Sequence, residues 1–139
     1  MRPHHTKDKG DIGVAHAIGD LADQGFVVLT AFCEHAPFDL VAYRDGKFVR
    51  VQVKYRTVSP SGTLEVQFRS SWSDVNGTHV RPIDKDHIDV VCIYCPDTRE
   101  CYYVDPKQFN KSISLRVRPV RNGQQRNVLD ASSFRSLAS

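Results

Sequence analysis

Long apolar runs are missing from this chain of 139 residues. None approaches the roughly 20 residues of a membrane-spanning helix. The opening MRPHHTKDKGD has no signal-peptide core, so no membrane association is expected and the cytoplasm is the expected compartment. Charge of one sign does not dominate: a net charge of +3 and a pI of 8.7 permit nucleic-acid binding without demanding it. Cysteine is scarce, with four residues and no secretory context, which excludes a disulfide-built scaffold. Cys92 and Cys95 have the C-x-x-C spacing of a zinc site. They sit in the strand-like VVCIYC, however, where residues three apart point to opposite faces, and no second Cys or His pair follows. Buried structural thiols are the expectation. With no repeat, low-complexity tract or linker, the chain reads as one globular domain over 1–139, with a polar tail from about 121.

What is present centres on PFDLVAYRDGKFVRVQVKYR, Pro37 to Arg56. Asp45-Gly46 is the two-residue signal of a type I′ hairpin, because both central positions need positive φ. That turn sets Arg44 against Lys47, Tyr43 against Phe48, Ala42 against Val49, Leu40 against Val51 and Phe38 against Val53. The last three pairs form an apolar face, so a one-residue slip is penalised throughout. The same register puts Asp39 opposite Gln52, with Lys54 two residues on along the non-core face.

In chain order, a helix is predicted from about Asp8 to Gln24, stopped by Gly25, with Val14, Ile18 and Leu21 as its buried stripe. Asp11 lies one turn before Val14. It reads either as an acid favoured by the helix dipole or as one aimed at the polar cluster of the sheet. Phe26–Phe32 is a first strand, and LEVQFR (64–69) alternates as a half-exposed one. Residues 70–82, with Asn76-Gly77, read as a long loop of the kind that is often functional. Its Trp72 and His79 either touch a ligand or, for Trp72, anchor the loop. Further strands are expected at 88–94 and 101–104. A helical turn should follow Asp105-Pro106, an extended piece should span 114–120 at a sheet edge because of Pro119, and a short helix should lie near 130–137.

An acid, an amide and an amine on one sheet face suit a divalent-metal hydrolase of phosphodiesters. Asp39 and Gln52 can offer oxygens to Mg²⁺, with the Val53 carbonyl as a third, and Lys54 can orient or deprotonate water and offset developing charge. Read from the residues alone, the trio is equally compatible with a solvated strand face carrying a weak ion pair.

Asp39, twelve residues, then Gln52-Val53-Lys54 resembles the PD-(D/E)xK nuclease signature. Lys9-Gly10-Asp11-Ile12-Gly13, EHAPFDLVAY, VQVKYR, SSWSDVNG and IDVVCIYCPDTRECYYVDP follow in the order found in its intron-encoded homing endonucleases. These are similar in core fold to archaeal-type Holliday junction resolvases. The resemblance implies an α/β (α+β) restriction-endonuclease-like core: a helix, three antiparallel strands, a helix and a strand. It implies cleavage of double-stranded DNA with Mg²⁺, or Mn²⁺ in its place, by a homodimer or homotetramer. It further implies Asp39 as metal ligand, Gln52 as metal or water ligand and Lys54 as catalytic lysine. Where many members carry a helix glutamate this chain has Val14, so Asp11 is the favoured replacement and Glu34 the other, unless the site is weakened. Expected DNA contacts are Lys7, Lys9, Arg56, Arg69, Arg81, Arg116 and Arg118 to phosphates, with Gln67 and Arg69 on a groove-reading strand. A junction resolvase and a catalytically inactive DNA binder are the alternatives.

Overall fold

The computed structural model describes residues 6–33, 35–118 and 129–137. Helix α1 (Thr6–Asp23) leads into β1 (Val27–Thr30), β2 (Leu40–Arg44) and β3 (Lys47–Tyr55). Then come β4 (Thr63–Gln67), β5 (Arg69–Asp74), β6 (Gly77–Pro82), β7 (Val90–Cys95) and β8 (Glu100–Val104). A 3₁₀ turn at Pro106–Gln108, β9 (Ser112–Arg116), β10 (Leu129–Asp130) and a second 3₁₀ turn at Ala131–Phe134 complete the chain. The main sheet has the order β1-β2-β3-β7-β8, antiparallel except where β7 runs parallel to β3. This is the expected mixed, mainly antiparallel α+β architecture. Among the described residues no helix is long and apolar enough to cross a membrane.

The hairpin forms as its turn chemistry dictates. Asp45 and Gly46 take φ of 53° and 81°, and the pairs Arg44–Lys47, Tyr43–Phe48, Ala42–Val49 and Leu40–Val51 are made. The expected Asp39–Gln52 and Phe38–Val53 pairs are not. Val51 is Leu40's partner, and its carbonyl also accepts the Asp39 amide at 2.9 Å. Two residues of one strand thus answer to one of the other, as in a β-bulge, and pairing stops there.

The two faces of the sheet are covered differently. On one, α1 packs with Ala17 and Leu21 fully buried against Leu40, Ala42, Val51, Cys92 and Tyr103. The contact line is Gly13–Ala17–Leu21, not the expected Val14–Ile18–Leu21, and Val14 and Ile18 are only half-buried at its side. Gly13 permits the close approach: a Cβ there would meet Val53 Cγ1 at 3.3 Å. On the other face a three-stranded sheet, β10-β9-β4, buries Leu64, Val66, Ile113 and Leu115 against Val91, Ile93, Cys95 and Val104. Cys92 and Cys95 therefore fall into opposite cores, as strand alternation requires, and both are buried thiols.

Several expectations are corrected. Phe26–Phe32 pairs only over Val27–Thr30, because Phe26 turns into the core while Phe32 lies fully exposed. LEVQFR is interrupted at Phe68, which leaves the strand to bury itself. Residues 70–82 are not a loop but belong to the ribbon β5–β6, whose polar residues satisfy a ladder without a core. No second core helix separates β3 from β7; strands β4 to β6 occupy that connection. β9 is a central strand, not an edge, because β10 returns parallel to it. It ends before Pro119, which lies outside the described residues.

Candidate active site

The bulge at Asp39 sets up the site. With the ladder ended, the Val53 N–H donates to Asp39 Oδ2 at 2.8 Å. A strand residue's N–H and C=O leave on the same edge, so the Val53 carbonyl also faces the Asp39 side. Asp39 keeps access to solvent, yet the surrounding protein desolvates its carboxyl and pushes the pKa up. The Val53 N–H and the Lys54 ammonium pull in the opposite direction, less strongly.

Gln52 and Lys54 alternate with Val51 and Val53, so they project from the face opposite α1. Gln52 Oε1 is buried and, among the described residues, is the only such side-chain oxygen or nitrogen without a hydrogen-bond partner. A buried acceptor left unpaired costs free energy, about 1–3 kcal/mol, and is the kind of atom a cation or donor would satisfy. Lys54 Nζ donates to the Arg69 carbonyl at 3.0 Å, joining the central strand to the root of the β5–β6 ribbon. Desolvation lowers its pKa to about 8, helped by the charges of Arg56 and Arg69 and opposed by Asp39. Arg56 and Arg69 thus crowd positive charge around Lys54, and Lys54 alone of the three acts on the Asp39 carboxylate.

A cleft of about 360 Å³ opens next to Gln52, walled by Pro37, Ser70, Arg81, Asp84, His87 and Ile88. Its far wall was not legible in the sequence: DKDHID (84–89) carries no motif, and only the fold brings it to β3. There Asp89 clamps Arg50 through bonds of 2.8, 3.0 and 2.9 Å, and that pairing lowers the pKa of Asp89.

The other sequence candidates are dispersed. Asp11 is exposed on α1, about 120° round the helix from buried Ala17, and α1 covers the face away from Gln52 and Lys54. Glu34 and the side chains of Lys7 and Trp72 lie outside the described residues. Lys9 is exposed near the start of α1. Gln67, Arg69 and Arg81 gather at the ribbon's root, while His79 bonds Asp74 within the ribbon at 2.9 Å. Arg116 is held by Asp130 at 3.0 and 3.1 Å. It lies four residues along β9 from Gln67's partner Ser112, a separation of about 13 Å. Arg118 follows it, its backbone bonded to Gly62.

Asp39, the orphaned Gln52 Oε1 and the Val53 carbonyl are all oxygens, the set that suits a hard cation such as Mg²⁺ or Mn²⁺. Among the described residues no group of three His, Cys, Asp or Glu gathers to form a softer or all-acid cage.

A family model described as PD-(D/E)XK endonuclease matches residues 4–137. Among solved structures, a bacterial homing endonuclease, I-Ssp6803I, matches with a TM-score of 0.75 and 23% identity, over 95% of this chain and 89% of that one. At that identity the likeness speaks for the fold. No curated protein matches the chain.

Proposed function

Because this chain belongs to the PD-(D/E)XK endonuclease family, we propose that it is a divalent-metal-dependent, sequence-specific endonuclease of double-stranded DNA, of the homing type. The observation that carries this reading is the unpartnered Gln52 Oε1, buried on β3 next to Val53, whose N–H holds the Asp39 carboxylate, and on the same strand face as Lys54. Asp39, Gln52 and the Val53 carbonyl would hold Mg²⁺, which when bound supplies Lewis-acid polarisation of the scissile phosphodiester. Lys54 orients the attacking water and stabilises charge gathering on the phosphoryl oxygens. Arg56 and Arg69 attract and position neighbouring phosphates. Asp11, expected to replace the helix glutamate, is exposed on the layer across the sheet and is left out of the metal-holding set.

The β5–β6 ribbon favours site-specific cutting over junction resolution, since a two-stranded ribbon fits the major groove, where each base pair presents a distinct pattern. Cutting both strands requires two such sites, so the working unit is a homodimer or homotetramer. Incubation with supercoiled plasmid, an intronless target duplex and a four-way junction, with and without Mg²⁺, tests this. Mg²⁺-dependent cutting of one linear site is the expected result. Preference for the junction would favour the resolvase reading, and no cutting with DNA binding intact would leave an inactive binder.

A further inference from the structure

The ribbon stands between two clefts. Ser70 and its partner Arg81 on one face border the cleft shared with Gln52. Arg69 and Val80, one residue along each strand and so on the opposite face, border a second cleft of about 520 Å³. Gln67, Lys85, Asn110, Lys111 and Ser112 wall it further, over Phe68, while Pro82 and Ile83 border both clefts. We propose, resting on the nuclease reading above, that this second cleft holds the phosphate backbone of the strand that the same protomer does not cut.

The major groove is about 12 Å wide and bounded by one backbone on each side. A ribbon that enters it end-on stands between the two backbones, with one face toward each. The Gln52 face fronts the catalytic residues and so takes the scissile strand. Its other face then meets the complementary backbone, and the second cleft lies there.

That cleft's chemistry suits a phosphodiester. Its floor is apolar and buried, with Phe68 3% and Ile83 8% exposed. Lys85 braces it from within, its ammonium bonded to the Phe109 and Asn110 carbonyls at 2.8 and 2.7 Å and 5.4 Å above the Phe68 ring. Exposed Lys111 is held at the rim, where its carbonyl accepts the Phe68 amide at 2.9 Å. Arg69 and the Gln67, Asn110 and Ser112 side chains add donors. Farther along the same small sheet the charge changes character: Glu65 accepts from Thr63 and Ser114, and Asp130 accepts from Arg116. The second cleft, by contrast, is walled by Arg69, Lys85 and Lys111 and, among the described residues, by no acid.

A half-site duplex bound without divalent metal tests the assignment, with single phosphates neutralised as methylphosphonates along each strand. The cut strand is identified separately by limited digestion of end-labelled DNA. Lys111→Ala should lose about tenfold in affinity at low salt and flatten the log–log salt dependence by about one. Its sequence preference should not change, since a phosphate contact carries no base information. One neutralised phosphate on the uncut strand should weaken wild type by a similar factor and leave Lys111→Ala unaffected. Interference confined to the cut strand, or an unchanged salt slope in Lys111→Ala, would overturn the proposal while leaving the nuclease reading standing. A wild-type protein that neither binds nor cuts DNA would defeat both.

Discussion

The carboxylate of Asp39 accepts the backbone N–H of Val53 at 2.8 Å, so the β2–β3 ladder ends in a side chain rather than in another pair of peptides. One oxygen is thereby committed to holding the acid in place, while the bulge at Val51 keeps the residue off the regular strand path. Position and chemistry are separated within a single carboxylate.

Asp39→Asn retains an acceptor for the Val53 amide but loses the charge. Cleavage should fall by about 10³-fold or more, as expected when about 4 kcal/mol of transition-state stabilisation disappears. DNA affinity in gel-shift assays and the melting temperature should stay near wild type. Comparable cleavage by the variant would remove Asp39 from the catalytic set.

Gln52→Leu removes an oxygen that has no protein partner. Thermal stability without metal should hold or rise by about 1 kcal/mol, since a buried orphan acceptor is abolished. The rise in melting temperature produced by Mg²⁺ or Mn²⁺ in wild type should shrink, and cleavage should fall with it. An unchanged metal-induced shift would show that Gln52 does not contribute to holding the ion.

Lys54 has a folded pKa of about 8, below its ordinary 10.5. Below pH 8 both folded and unfolded chains carry the proton, and the fold bears the cost of desolvating the charge. From about 8 to 10.5 only the unfolded chain still binds it, so this contribution to stability rises with pH. Lys54→Met should therefore abolish cleavage yet melt higher at pH 7, by about 1–2 kcal/mol after discounting for partial exposure and the lost Arg69 bond. The advantage should shrink above pH 8, as read by calorimetry across that range.

Asp11→Asn should reduce cleavage less than about tenfold, well short of the Asp39 variant, because the residue is exposed on α1 across the sheet from Lys54. A loss as large as that of Asp39→Asn, at unchanged melting temperature, would mean that the first turn of α1 moves to the metal when DNA binds.

The hairpin was legible from its residues because its determinants are local. Asp45-Gly46 demands left-handed backbone, and the alternation of Leu40, Ala42, Val49 and Val51 penalises any other register. Strand alternation likewise foretold that Cys92 and Cys95 would part to opposite sides. The buried line of α1 was misplaced because it depends on Gly13, whose missing side chain carries no hydrophobic signal yet decides how near the helix lies to Val53.

Residues read in order were enough for the turn, the register from Arg44–Lys47 to Leu40–Val51 and the shared face of Gln52 and Lys54, because neighbouring residues and a two-residue period suffice for all three. The tertiary structure decided which face each layer covers, that the polar 69–82 segment rises as a ribbon, and that Lys54 meets the Arg69 carbonyl fifteen residues away. Those choices depend on contacts between distant elements. A polar strand that pairs only with its neighbour, or an acceptor supplied by a backbone carbonyl, leaves no side-chain pattern to read.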